Sequence, residues 1–484
     1  MLQHIGGITM KIKRILTTIM STTLIMSSVL TGCSRPPAEP VSNDATSTTQ
    51  AENSTNTSEE AVDPVVIYVA AFKGAYGDKF WQEVVSGFEE MYKDKGYKVT
   101  LVANEKIEDI VTPQLRNGEG PDVVYLGTNS PSGFAQKLIA SGSLLNLTDI
   151  LDDKVPGEDI TLKEKILPGF LDTTSTMPYA DGDTFMLPFF YSTNGVFYNK
   201  NLFNEDGSNG KYKLPETWDE FLALGEQANA DGRKLFIYPK AGYLDQFLIA
   251  SVASAAGPEV LDQWLKYEDV YENPAFNKVF ENLAALKPYF AWDILDPAKP
   301  IDNEAKILNN DVLFVPCGSW MPSELADYSK AEGFEYGYMA PPAFDKGGDR
   351  YSAGMIEQVY ALNTGDKQKE EASKEFLKYL YTDQAVKTIV SNQGGIVPVQ
   401  GALDMAKEAQ VDDVTLELYG VYDKGAKFIS GSFVSAKADG VNWKQTYCFS
   451  MDSIMQGIEG SDAKWWVERM RADAELMKAG IQGQ

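Results

Sequence analysis

From Pro64 onward the chain switches between two hydrophobic periods. "PVVIYVAAF" (64–72) is an almost unbroken apolar run of strand length, which predicts a strand buried on both faces. Phe80, Val84, Phe88 and Met91 then recur every three or four residues before Gly96, which predicts an amphipathic helix and its stop. "KVTLVAN" (98–104) returns to strand character, "EKIEDIVTPQLRNGEG" (105–120) reads as a helix with a glycine-rich end, and "PDVVYLG" (121–127) as a third strand. Strand, helix, strand, helix, strand at this spacing implies a parallel sheet with helices on both faces. Later stretches repeat the same alphabet: "FMLPFFYSTNGVFYN", "PETWDEFLALGEQANADG", "LFIYP", "YGYMAPP" and "MIEQVYALN". No repeat of fixed period runs through them. The fold class is α/β.

One corner stands out. Asp311 to Val315 alternates as a strand, Pro316 and Gly318 interrupt it, and Ser319 is placed to cap a helix opened by Pro322-Ser323-Glu324. Trp320 therefore falls on a strand-to-helix corner, the place where open α/β sheets keep their ligand crevice. The plain alternative is that the indole packs the corner.

The N-terminus changes the picture of where the chain works. A basic stretch (Lys11, Lys13, Arg14) precedes a moderately apolar run, Ile15 to Leu30, too short to span a bilayer and suited to an export signal. Met10 is an alternative start. The run ends in "LTGC" (30–33), which resembles the lipobox of bacterial lipoproteins, with residues 1–32 removed and Cys33 carrying the lipid. Residues 34–63 hold ten Ser/Thr, six acids, one Arg and no aromatic, so they read as a disordered tether with a reach of roughly 30 Å.

Cleavage would take the net charge from −26 to −29 and remove His4, the only histidine. Such acidity lacks the basic footprint of a nucleic-acid binder. Without histidine the mature chain has no Ser-His-Asp or Cys-His mechanism and no histidine-ligated metal site, and no metal or cofactor is expected. The nearest approach to a P-loop, "GSNGKYK" (207–213), has the wrong spacing, and no dinucleotide fingerprint follows a strand. Cys317 and Cys448 could pair or stay as small buried hydrophobes; both options stay open.

The ordered set "GPDVVYLGTN" (120–129), "GSLLNLTD" (142–149), "VFYNKNLF" (196–203), "LPETWDEFLALGEQANADG" (214–232), "VPCGSWM" (315–321) and "SKEFLKYLYTDQAVKTIVSNQGGIVPV" (373–399) resembles the family 1 extracellular solute-binding proteins of carbohydrate ABC transporters. The "PCGSWMPSE" corner is most similar to members handling N-acetylglucosamine or chitobiose. The resemblance implies a two-lobed Venus-flytrap fold with three interlobe crossings, near 188–192, 341–348 and 396–400. Lobe 1 would take 64–190 plus 346–398, and lobe 2 would take 191–345 plus 399–484. It implies a monomer held outside the cytoplasm by its lipid anchor alone, which captures a mono- or oligosaccharide, closes, and passes it to the permease subunits of an ABC importer.

A pyranose needs an aromatic face for its C–H surface and paired donors and acceptors for its hydroxyls. Tyr191, Tyr243, Trp320 and Trp443 sit at corners or in Gly- and Ser-rich stretches and are candidate platforms. Trp320 also matches the family's stacking tryptophan, whereas Trp218 is assigned to helix packing. Tyr76, Asn129 and Glu357 are candidates for the hydroxyls. Leu126 and Ser192 stand where maltose-binding protein has Trp and Glu, which argues against a maltodextrin. Two rival readings are a binding protein for a non-sugar solute on the same fold and a secreted glycoside hydrolase.

Overall fold

A computed structural model describes residues 63–73, 77–127, 133–171, 173–179, 181–204, 210–238, 244–294, 296, 298–392, 395–434, 438–442 and 444–482. In chain order the strands are β1 (Val65–Phe72), β2 (Tyr97–Asn104), β3 (Val123–Tyr125), β4 (Leu187–Tyr191), β5 (Asn194–Asn199), and a short ribbon of β6 (Phe203–Asn204) and β7 (Tyr212–Lys213). There follow β8 (Lys234–Phe236), β9 (Val312–Gly318), β10 (Tyr336–Met339), β11 (Tyr351–Ala353), β12 (Ile356–Ala361) and β13 (Lys427–Ile429).

β1 pairs in parallel with both β2 and β3, as the alternating periods predict. The helix between β1 and β2, Lys79–Met91, buries Phe80, Trp81, Val84, Val85 and Phe88, and Gly96 ends the connection at φ 69°. Ile67, Val69 and Ala71 of β1 point to one apolar layer with that helix. Ala70 points to the opposite layer, with Ile107 and Val111 of the helix Ile107–Arg116. The sheet is not wholly parallel, however. β12 adds antiparallel to β3 and β4 antiparallel to β12, giving the order β2-β1-β3-β12-β4.

The second sheet runs β13-β11-β5-β9-β8, with β10 also paired to β5. One face shares the large apolar layer that backs the first sheet, through Phe197, Val315 and Cys317. The other face, with Val196, Tyr198 and Phe314, is covered by helices such as Trp218–Ala230, Leu244–Ala256 and Pro274–Ala285. Trp218 opens the first of these behind a Thr217–Glu220 capping box and is buried against Phe221, Phe247 and Phe344, as expected of a packing residue. Two mixed sheets with helical covers make a two-lobed α/β fold.

The chain passes from the first sheet to the second between Tyr191 and Asn194, next to the expected 188–192. It returns between Ala353 and Ile356, not at 341–348. Pro341 and Pro342 end β10, but the chain then turns back into β11. The Arg350 guanidinium, donating to the carbonyls of Ala340 and Pro341, ties that turn to the second sheet. β11 pairs with β5 and β13, so a lobe boundary at 346 would cut it from its own sheet. The stretch 396–400 runs against Lys165–Leu167, through Leu167 N–H to Pro398 O (2.9 Å) and Gln400 N–H to Lys165 O (2.9 Å). Cys317 and Cys448 are both buried and form no disulfide with each other.

Candidate functional site

The two described passages between sheets lie side by side. Ser192 N–H donates to Met355 O (3.0 Å), and Met355 N–H donates to Ser192 Oγ (3.2 Å). A Cβ on Gly354 would run into the Ser192 carbonyl and the Phe428 ring, so only glycine lets the strands approach this closely. Next to them Thr193 Oγ1 meets Ser352 Oγ (2.6 Å), Tyr422 OH (3.2 Å) and Tyr338 OH (3.3 Å). These hydroxyls satisfy one another in a buried place where an unmatched one would be costly.

The Trp320 corner opens beside this joint. β9 runs through Cys317 and Gly318 before the one-turn helix Met321–Glu324. Ser319 does not cap that helix. Trp320 holds the N-cap position, and the Ser319 N–H donates to Thr193 O (2.9 Å), tying the corner to the joint. Gly318 explains the odd "PCGSW" run: the six-membered ring of Trp320 folds back over it, into the space a Cβ would fill.

Trp320 lines a cavity of about 780 Å³. Ser192, Glu357 and Ser391 border it from one side, Ser319 and Ser323 from the corner, and Gln410, Asp412 and Thr415 from a third segment. Glu357 lies on β12 opposite Phe190, at a bulge where the register shifts before Gln358. Its carboxylate accepts the Tyr125 hydroxyl from β3, and the Tyr125 ring packs on Trp81, Phe189 and Phe190. Burial pushes the Glu357 pKa upward, and the Tyr125 hydrogen bond only partly opposes this. Asp412 caps the helix Asp413–Tyr419, accepting from Thr415 N–H (2.9 Å) and Oγ1 (2.8 Å). Among the described residues lining the cavity there is no Lys or Arg. Met355, Val390, Ile396, Val411 and Leu418 also line it, and this mix of apolar surface, hydroxyls and carboxyls suits an uncharged ligand with both apolar faces and hydroxyls better than an anion.

Of the residues singled out from sequence, Trp320 and Glu357 come together in this cavity. Tyr191 does not line it. Its ring is 2% exposed and enclosed by Phe170, Tyr419, Tyr422 and Phe428, and its carbonyl accepts the Tyr419 hydroxyl (3.0 Å). That ring packs in the core among four aromatic neighbours and borders a separate cavity of about 90 Å³, too small for a sugar ring. Tyr76, Asn129, Tyr243, Trp443 and Cys33 lie outside the described residues. Sequence reasoning missed Ser319, Ser323, Gln410 and Thr415. Gln410 adopts a left-handed φ of 55° after the helix Ala402–Glu408, and nothing in "KEAQVDD" marks it for that role.

A two-lobed α/β fold with a cleft of this composition defines a class of small-solute binding proteins. The sequence profile of the bacterial extracellular solute-binding proteins matches residues 74–387, and the chain belongs to that family. The diacetylchitobiose binding protein NgcE of Streptomyces coelicolor is 28% identical over 327 residues, 64% of either chain. The multiple sugar-binding protein of Streptococcus mutans is 26% identical over 228 residues, 45% of this chain and 52% of its own. The chain thus spans between half and two thirds of the length of these curated relatives. The apo-form of RafE from Streptococcus pneumoniae has the same fold, with a TM-score of 0.61 at 18% identity over 86% of this chain and 99% of that one. Among the described residues no helix is long and apolar enough to cross a membrane.

Proposed function

We propose that the chain is an extracytoplasmic carbohydrate-binding protein serving an ABC importer, not an enzyme. Signal peptide 1–32, a lipid on Cys33 and a tether to residue 63 would hold it at the membrane. The sugar would lie on Trp320, its hydroxyls meeting Glu357 and the serines around the cavity. Tyr76, Asn129, Tyr243 and Trp443 remain candidates to complete the site. The observation that carries this reading is the indole resting on Gly318 at a cavity of mixed apolar and polar lining, bordered by Glu357 of β12 and by the corner that follows β9. A ligand touching both sides favours a closed arrangement, which a permease can distinguish from the open one. The similarity to NgcE makes an N-acetylglucosamine oligosaccharide the first ligand to try.

The test is a thermal-shift screen over mono- and oligosaccharides, amino sugars included. A cognate sugar at 100 times its Kd stabilises the native state by about 2.7 kcal/mol, and the shift should grow with concentration. Trp320→Ala should weaken binding by about 2 kcal/mol, some thirtyfold, while the fold stays intact. If no sugar moves the melting curve but a peptide or other solute does, the sugar reading is wrong.

A further inference from the structure

Behind the Trp320 corner, outside the cavity, three chemically distinct side chains converge. The donor atoms of Glu304, Cys317 and Glu324 all lie within 4.8 Å of one another. Glu304, at the end of the helix Pro300–Glu304, is 0% exposed, and neither of its carboxyl oxygens makes a hydrogen bond of ordinary geometry. A carboxylate in that position is costly unless something positive meets it. Cys317 is 1% exposed on β9, and Glu324 reaches the site from the solvent side. The Tyr336 hydroxyl, also buried and without a hydrogen-bond partner, is close enough to feel the Glu304 charge.

We propose that Glu304, Cys317 and Glu324 form a divalent-cation site for a thiophilic ion of the zinc class. One thiolate and two carboxylates supply a mixed sulfur and oxygen set that favours zinc over calcium or magnesium. Ligands on a tetrahedral ion of this class sit roughly 3.5 Å apart, so the three side chains, within 4.8 Å of one another, would close in by up to about 1 Å on binding. Exposed Glu324 gives the ion a way in, and the fourth position would fall to water. Binding displaces to solvent both the thiol proton and the proton that burial keeps on Glu304 beside Glu324, and the ion takes the place of these protons between the thiolate and the two carboxylates. Trp320 lies between two of the three ligands in sequence, so an ion here would hold together β9, the indole corner and the helix Pro300–Glu304. The inference stands whether or not the ligand of the cavity is a sugar.

The experiment is a titration of the chelator-treated full chain with Co²⁺ and Zn²⁺, with no sugar present. Expected are one equivalent of bound metal, a thiolate-to-cobalt charge-transfer band displaced by Zn²⁺, and a rise in melting temperature with Zn²⁺. Cys317→Ser should remove the band and Cys448→Ser should keep it. Glu324→Gln, an exposed change that leaves folding intact, should weaken Zn²⁺ binding at least tenfold. Absence of stoichiometric binding, a band that survives Cys317→Ser, or wild-type affinity in Glu324→Gln would each overturn the proposal. The first of these would leave Glu304 and Glu324 as a carboxyl pair sharing a proton.

Discussion

Tyr191 and Trp320 are both large aromatic residues at the end of a strand, and both are tied to the joint between the sheets. Their surroundings make them opposites. Tyr191 ends β4 and points into a shell of Phe170, Tyr419, Tyr422 and Phe428. Trp320 follows β9, leans on a residue without a side chain and lines the cavity. The core ring and the proposed platform thus differ in their setting: four aromatic side chains enclose Tyr191, whereas Trp320, partly buried against the core, lays one ring over the backbone of Gly318. The core ring should matter for stability and the platform for affinity.

The largest effect is expected from Tyr191→Ala. Removing a fully enclosed aromatic ring leaves a cavity that the surrounding rings cannot fill, at a cost of about 3–5 kcal/mol. Urea unfolding should show this loss, while the fraction that remains folded keeps its ligand affinity. If Tyr191→Ala unfolds like the wild type but loses ligand, the two corners have been assigned the wrong way round.

Gly318→Ala comes next. The new methyl would occupy the position of the Trp320 ring, so the indole must swing away. Overpacking of this kind costs about 1–3 kcal/mol. Its distinguishing mark should be a loss of affinity close to that of Trp320→Ala, measured by titration calorimetry with whichever ligand the screen finds. Wild-type affinity in Gly318→Ala would mean that the indole does not need the support of the backbone to bind.

The same contrast explains what the sequence disclosed. The first three strands and their two helices are legible because each carries a clear local hydrophobic period, and β2 and β3 both pair with β1. The Trp320 corner could be read from Pro316, Gly318 and the family pattern around them. The antiparallel additions of β12 and β4 could not, since local periodicity carries no strand direction. β11 was missed because three residues, Tyr351–Ala353, give too short a pattern, and the crossing near 341–348 rested on the family resemblance alone. The burial of Tyr191 away from the Trp320 cavity was hidden for a related reason: of the four rings that enclose it, three lie more than two hundred residues away. The Glu304, Cys317 and Glu324 group is equally hidden, because a search guided by histidine spacing passes over ligands drawn from separate elements.

The smallest effect concerns Glu357, the polar counterpart of Trp320 in the cavity. Burial raises its pKa above that of an unfolded glutamate, which is about 4.3. The folded state therefore holds this proton more tightly than the unfolded state does. Its contribution to stability is complete below the unfolded value and is lost as pH rises through the folded one. Glu357→Gln cannot ionise, yet its amide oxygen can still accept the Tyr125 hydroxyl. The variant should match the wild type near pH 4 and be slightly more stable at pH 7, with the gap opening between these values in melting curves taken across the range. A gap of the opposite sign would mean that the ionised carboxylate is held more favourably in the fold than in water, by Tyr125 and its neighbours. Glu357 would then be a structural acceptor on the core side of the contrast, not a group waiting for a ligand.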